Sequence, residues 1–269
     1  MVGNLLLRGM LVGLAAGLVC FIFLRIFGEP PVEHAIALEE AASAAVAEPA
    51  DHDHGPEAVT AQAATEEAGH SHGEDALVSR TVQAGIGLFT AVGVFGAALG
   101  GLFSLAFALV YGRWEALGPR GTAALLGALG FVSVYLVPFF KYPPNPPAVG
   151  DPETIGARTA LYLAMLALSL AGMIAAVMLR TRLAPSHGRW NATLWAGAAY
   201  LGAMIVVAAL LPGMNELPDS FPAPTLWSFR VAALGGQAIL WTVIALGFGL
   251  LTHRVASRAP GTRLDAAIA

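Results

Sequence analysis

Apolar residues run along this chain in long blocks rather than in alternation. Six blocks approach or exceed the roughly 20 residues a helix needs to cross a hydrocarbon core of about 30 Å. They cover residues 5–27, 82–111, 121–140, 159–179, 191–211 and 230–252. The second block, fully helical, reaches about 45 Å and must tilt or protrude. The third contains Pro138, and the first carries Arg8 and Arg25 near its ends, where long side chains can snorkel to the interface. Gly9, Gly13 and Gly17 recur every four residues in the first block, and Gly96 and Gly100 do so in the second. Such faces suit close helix packing. The expected fold class is all-α, a polytopic membrane bundle of about six helices.

The first block reads as a retained helix and not as a cleaved signal. No small-x-small site follows it, only Arg25-Ile26-Phe27-Gly28-Glu29-Pro30-Pro31, and Val19-Cys20 lacks the small residue that precedes a lipoprotein cysteine.

Composition agrees with the blocks. Of 269 residues, 57% are hydrophobic and 12% charged, against roughly 25% charged in soluble domains. That excludes a soluble enzyme, a nucleic-acid binder and a disordered chain. One cysteine, Cys20, excludes an internal disulfide and a cysteine metal cage. No nucleotide-binding loop, Ser/His/Asp set or H-E-x-x-H motif occurs, so no enzyme is expected. No acidic residue lies inside an apolar block, which argues against a buried carboxylate relay.

Charge predicts orientation. Arg113 and Arg120 follow the second block, Arg180, Arg182 and Arg189 the fourth, and Arg254, Arg258 and Arg263 the sixth. By the positive-inside rule these ends are cytoplasmic, with Lys141 and Arg158 as exceptions. Both termini then lie inside. The expected division is a helix over 1–27, an outward insert over 28–80, a five-helix bundle over 81–253 and a cytoplasmic tail over 254–269.

The insert holds 12 of the 18 acidic residues and five of the seven histidines. Its first part, Pro31 to Ala47, is rich in helix formers, and Glu33, Ile36 and Glu40 would share one face of that helix. Beyond it lie Asp51-His52-Asp53-His54 and His70-Ser71-His72. In extended chain, residues two apart project to one side. His52 with His54, and His70 with His72, can therefore each grip a divalent metal, helped by Asp51 and Asp53. Glu33 and His34 add candidate ligands at the insert's start. Imidazole and carboxylate do not select among cobalt, nickel and zinc. Such a segment collects ions by raising their local concentration. His187 and His253, and the methionines Met165, Met173, Met178, Met204 and Met214, read as ordinary surface and packing residues.

Two further loops face the insert side. One runs from Lys141 to Thr154 and has prolines at 143, 144, 146 and 147, which fix an extended backbone. Asp151 and Pro152 there read as a helix cap and first turn. The other runs from Leu211 to Trp227 and carries Asn215, Glu216 and Asp219 among prolines. Rigid backbone positions ligands well, so Glu216 and Asp219 are candidate oxygen ligands at a shared mouth.

Residues 141–158, KYPPNPPAVGDPETIGAR, resemble the central motif of the CbtA family of predicted cobalt transporter subunits. So do GEPPVEHAIALEEA at 28–41, GGLFSLAFALVYGR at 100–113, NELPDSFPAPTLWSFR at 215–230 and the two histidine pairs. The resemblance covers nearly the whole chain. It implies a bacterial inner-membrane protein of five or six spans, surrounded by membrane lipid. It also implies a small single-span companion, CbtB, and Co2+ as the ion moved for cobalamin synthesis, with no cofactor held permanently. It carries over no catalytic residue. A non-conducting metal-binding accessory or sensor, and a carrier of nickel or zinc, are the alternatives that residues alone leave open.

Overall fold

The structure is a computed structural model that describes residues 2–47, 78–113, 117–147, 149–150, 152–214, 217–218 and 220–258. Among these there are seven principal helices: α1 Val2–Phe27, α2 Glu29–Ala47, α3 Arg80–Val110, α4 Pro119–Lys141, α5 Ile155–His187, α6 Arg189–Leu210 and α7 Ala223–Arg258. All but α2 are long and apolar enough to cross a membrane. The six expected spans are thus present. Helices α5 and α7 overrun the apolar blocks, because hydropathy marks the stretch that lipid covers and the helix continues past it. The helix expected at the insert's start is α2, beginning at Glu29.

Two helices carry a wide turn. In α4 the segment Phe131–Leu136 is π-helical, and the Val137 N–H reaches the Val132 carbonyl. Pro138 lies just beyond. A proline lacks the N–H and crowds the carbonyl four residues back, so an extra residue in the preceding turn accommodates it. The start of α3, Gln83–Gly87, is also π-helical.

The core lies among α1, α3, α4 and α7. Helices α1 and α3 cross antiparallel on their glycine faces: Gly9 meets Gly100, Gly13 meets Gly96, and Gly17 meets Val92 and Gly93. A Cβ on Gly13 would stand 2.0 Å from the Gly96 carbonyl oxygen, and one on Gly100 would stand 2.1 Å from that of Gly9. The expected packing faces therefore pack on each other. The opposite flank of α1 meets α7, where the Cys20 thiol donates to the Gly236 carbonyl at 3.4 Å. Aromatic rings close the lower core, with Phe248 edge-on to Phe107 at 5.0 Å and to Phe103 at 5.7 Å.

Helices α5 and α6 form a hairpin at the side of this core. Gly188, at φ +78°, is the one residue between them, in a conformation that favours glycine. Inside the pair, Ser169 and Tyr200 share a buried hydrogen bond of 2.8 Å. Met165 and Met204 are buried, and the Met204 methyl lies over Gly172. These methionines fill space, as expected. His187 is exposed against Ser186. Among the described residues helix α6 packs mainly along α5. Pro152 opens a 3-10 turn that leads into α5, whose cap is Thr154; Asp151 lies outside the described residues.

The glycine seam gives a direct test. Overpacking costs about 1–3 kcal/mol even where side chains can shift, and a carbonyl cannot shift away from a new Cβ. Gly13→Val is expected to lower the thermal midpoint of detergent-solubilised protein and the monodisperse yield. Gly197→Val, where a Cβ meets nothing within 4 Å, should do neither. Equal midpoints for the two variants would show that the seam does not hold the bundle.

Candidate functional site

A chamber of about 840 Å³ opens at the end of the bundle that carries the insert. Its walls come from α1, α2, α3, α4, α5 and α7 and from the two proline-rich loops. It therefore lies along the boundary between the four-helix core and the α5–α6 hairpin. From Arg230 to Leu240 along α7 it descends ten residues, about 15 Å, or half a hydrocarbon core. Leu240 is its floor. Below, Trp241, Ile244 and Phe248 fill the bundle with the buried core.

The proline-rich loops are fastened over the chamber. The Tyr142 hydroxyl donates to the Pro212 carbonyl at 2.8 Å, joining one loop to the other. Partial burial pushes that phenol above its ordinary pKa, which keeps it the donor. Arg230 donates to the Pro144 carbonyl at 3.3 Å and to Asn145 Oδ1 at 3.0 Å, joining the first loop to α7. The prolines bring no N–H groups to this stretch, so fewer backbone donors compete for its carbonyls. Pro146 is fully buried beneath this staple.

Among the described residues the charged groups at the chamber are mostly arginines. Arg158 and Arg230 line it. Glu29 is the one carboxylate among the described lining residues, and it is 7% exposed. The Arg80 guanidinium holds it at 2.5 Å. This pair ties the start of α2 to the start of α3, closing the two ends of the insert against each other. The rest of the lining is mainly apolar, with neutral polar groups that include the phenols of Tyr135 and Tyr162 and the amide of Gln237.

The candidate ligands fall unevenly. Glu33 is exposed on α2. His34 is exposed too, and its Nδ1 shares a 2.8 Å hydrogen bond with the Thr225 hydroxyl at the start of α7. Asp51, His52, Asp53, His54, His70, His72, Glu216 and Asp219 lie outside the described residues. Among the described residues no three His, Cys, Asp or Glu side chains stand close enough to hold a metal together. Glu29, Arg80, Asn145, Arg158, Arg230 and Gln237 were not expected from the sequence. Two of the six carried a signal: Arg158 breaks the charge rule, and Gln237 is a polar residue inside an apolar block.

The two loops joined by Tyr142 and Pro212 contain two of the stretches that carried the family resemblance. A family model described as "Probable cobalt transporter subunit (CbtA)" matches residues 2–253. The chain belongs to the CbtA family. It is a multi-pass helical membrane protein and a probable cobalt transporter subunit, with Co2+ as its substrate. No curated protein and no solved structure matches it.

The ion pair at the chamber rim can be weighed with a double-mutant cycle. Hydrogen bonds to charged groups contribute about 1.5–3 kcal/mol, and solvent at the partly exposed Arg80 lowers that to about 1–2 kcal/mol. Glu29→Gln and Arg80→Gln should each lower the unfolding free energy in detergent, and the double variant should cost less than their sum. Strict additivity would show that the pair does not couple α2 to α3.

Proposed function

We propose that this subunit takes up Co2+ across the bacterial inner membrane to supply cobalamin synthesis, with the insert outside and both termini in the cytoplasm. The chamber is the observation that carries this reading. It is a partly open, mainly apolar space with a few polar groups at the insert end, bounded at mid-bundle by Leu240, a shape that suits a carrier resting open to one side. In this reading His52, His54, His70 and His72, with Asp51, Asp53, Glu33 and His34, gather the metal and raise its concentration at the chamber mouth. Glu216 and Asp219 supply oxygen ligands there as the ion sheds water. A small single-span CbtB-like companion completes the transporter.

Two measurements test this. Changing His52, His54, His70 and His72 together to Ala should lower radioactive cobalt uptake several-fold at low metal and leave it near the parent rate at saturation. Equal loss at every concentration would make the insert part of the conducting path instead. For orientation, Ser71→Cys in a Cys20→Ser background should react with an impermeant thiol reagent in intact cells. Labelling only after lysis would reverse the topology.

A further inference from the structure

We propose that an acyl tail of a membrane phospholipid occupies the chamber, entering sideways from the leaflet on the insert side through a seam between α3 and α5. The inference goes beyond the transport reading: it concerns what fills the space while no cargo is in it.

The walls supply the first reason. Around the chamber α3 packs on α1, α1 on α7, α7 on α4 and α4 on α5. Those four junctions close most of the ring. The fifth, between α5 and α3, has no comparable packing among the described residues, which include both helices over their whole length. Helix α3 brings Leu88, Val92 and Phe95 to the lining, and α5 brings Ile155 and Leu163. Phe95, Ile155 and Leu163 each leave half or more of their surface exposed. The two flanks therefore do not bury one another. Both belong to helices apolar enough to cross the membrane, so the seam between them opens toward lipid.

Depth is the second. The chamber descends about 15 Å along α7 and ends at Leu240. Half of a 30 Å hydrocarbon core is also about 15 Å, the thickness that the tails of one leaflet fill. A tail standing beside its neighbours thus reaches the floor without leaving its leaflet.

Surface and size are the third. Water is held in a cavity where polar partners meet it. Leu88, Val92, Phe95 and Leu163 offer none, and an empty space along them forfeits dispersion contacts that a tail restores. A partner helix is too large. A 15 Å length of helix, about 10–12 Å across, needs roughly 1,200–1,700 Å³. The chamber holds about 840 Å³, inside the roughly 300–1,000 Å³ of small-molecule sites. A tail is also a movable filler, able to slide back into the leaflet when cargo enters at the mouth.

Photo-crosslinking of the full-length protein tests this with no cobalt present. The protein is reconstituted in vesicles of phosphatidylethanolamine and phosphatidylglycerol, some of which carries a diazirine near the end of one acyl chain. Adducts are mapped by mass spectrometry. Gln237 stands on α7, across the ring from the seam, and Tyr135 stands on α4. Labelling at these two should come within about threefold of that at Val94, an exposed residue of α3. It should exceed that at the fully buried Phe248 at least tenfold. Leu163→Trp narrows the seam and should lower labelling at Gln237 and Tyr135 at least threefold, with Val94 unchanged. Should Leu163→Trp fail to fold, the map of the unaltered chain decides alone. Labelling at Val94 with Gln237 and Tyr135 no higher than Phe248 would overturn the proposal. So would chamber labelling that Leu163→Trp leaves untouched, which removes entry through the seam. Chamber labelling from a diazirine on the headgroup, and none from the tail, would make it a headgroup site instead. A photoreactive residue at position 163 that captures another polypeptide in cells, and no lipid, would put a protein helix at the seam. Because the readout contains no metal, absence of cobalt uptake by cells would sink the transport reading and leave the tail in place.

Discussion

Within a bilayer, apolar helices gain no hydrophobic free energy by leaving lipid for one another. What brings α1 and α3 together is contact between backbones, and the glycines at 9, 13, 96 and 100 permit it. Everything else depends on that approach. With α3 drawn in on one side, α1 has its other flank free for α7, and α4 then fits against α7, with Gly127 under Ala245 and Gly130 under the Trp241 ring. Four helices close around Phe107, Phe248 and Ile244. The α5–α6 hairpin has no such face toward the core and lies beside it. The chamber is the space that this difference leaves at the boundary, roofed by loops too proline-rich to coil into helix.

The fold was largely legible in the sequence, because lipid imposes a length and an apolar composition that any window reveals. Gly9, Gly13 and Gly17 announced a contact face by spacing alone. Their partner was not announced, since spacing does not say which row meets which. The ends of α5 and α7 were less legible: past the hydrocarbon, a helix is held by its own hydrogen bonds, and hydropathy is silent about them. The site was read only in part. Glu29 looked like one acid among twelve, and only folding sets it against Arg80 from the far end of the insert. Arg230 stood at the first position of an apolar block, where an arginine is easily assigned to the membrane surface. Its reach to Asn145, 85 positions earlier, is set by how α4 and α7 lie together.

Charge is spread unevenly along the chain. Carboxylates crowd the sequence of the insert, while among the described residues Arg158 and Arg230 line a mainly apolar chamber.

Gly188 ties two helices into one body. It is the one residue between α5, of 33 residues, and α6, of 22. So short a link holds their facing ends side by side, and the buried Ser169–Tyr200 hydrogen bond fixes them again further along. Any displacement of α5 therefore carries α6 with it.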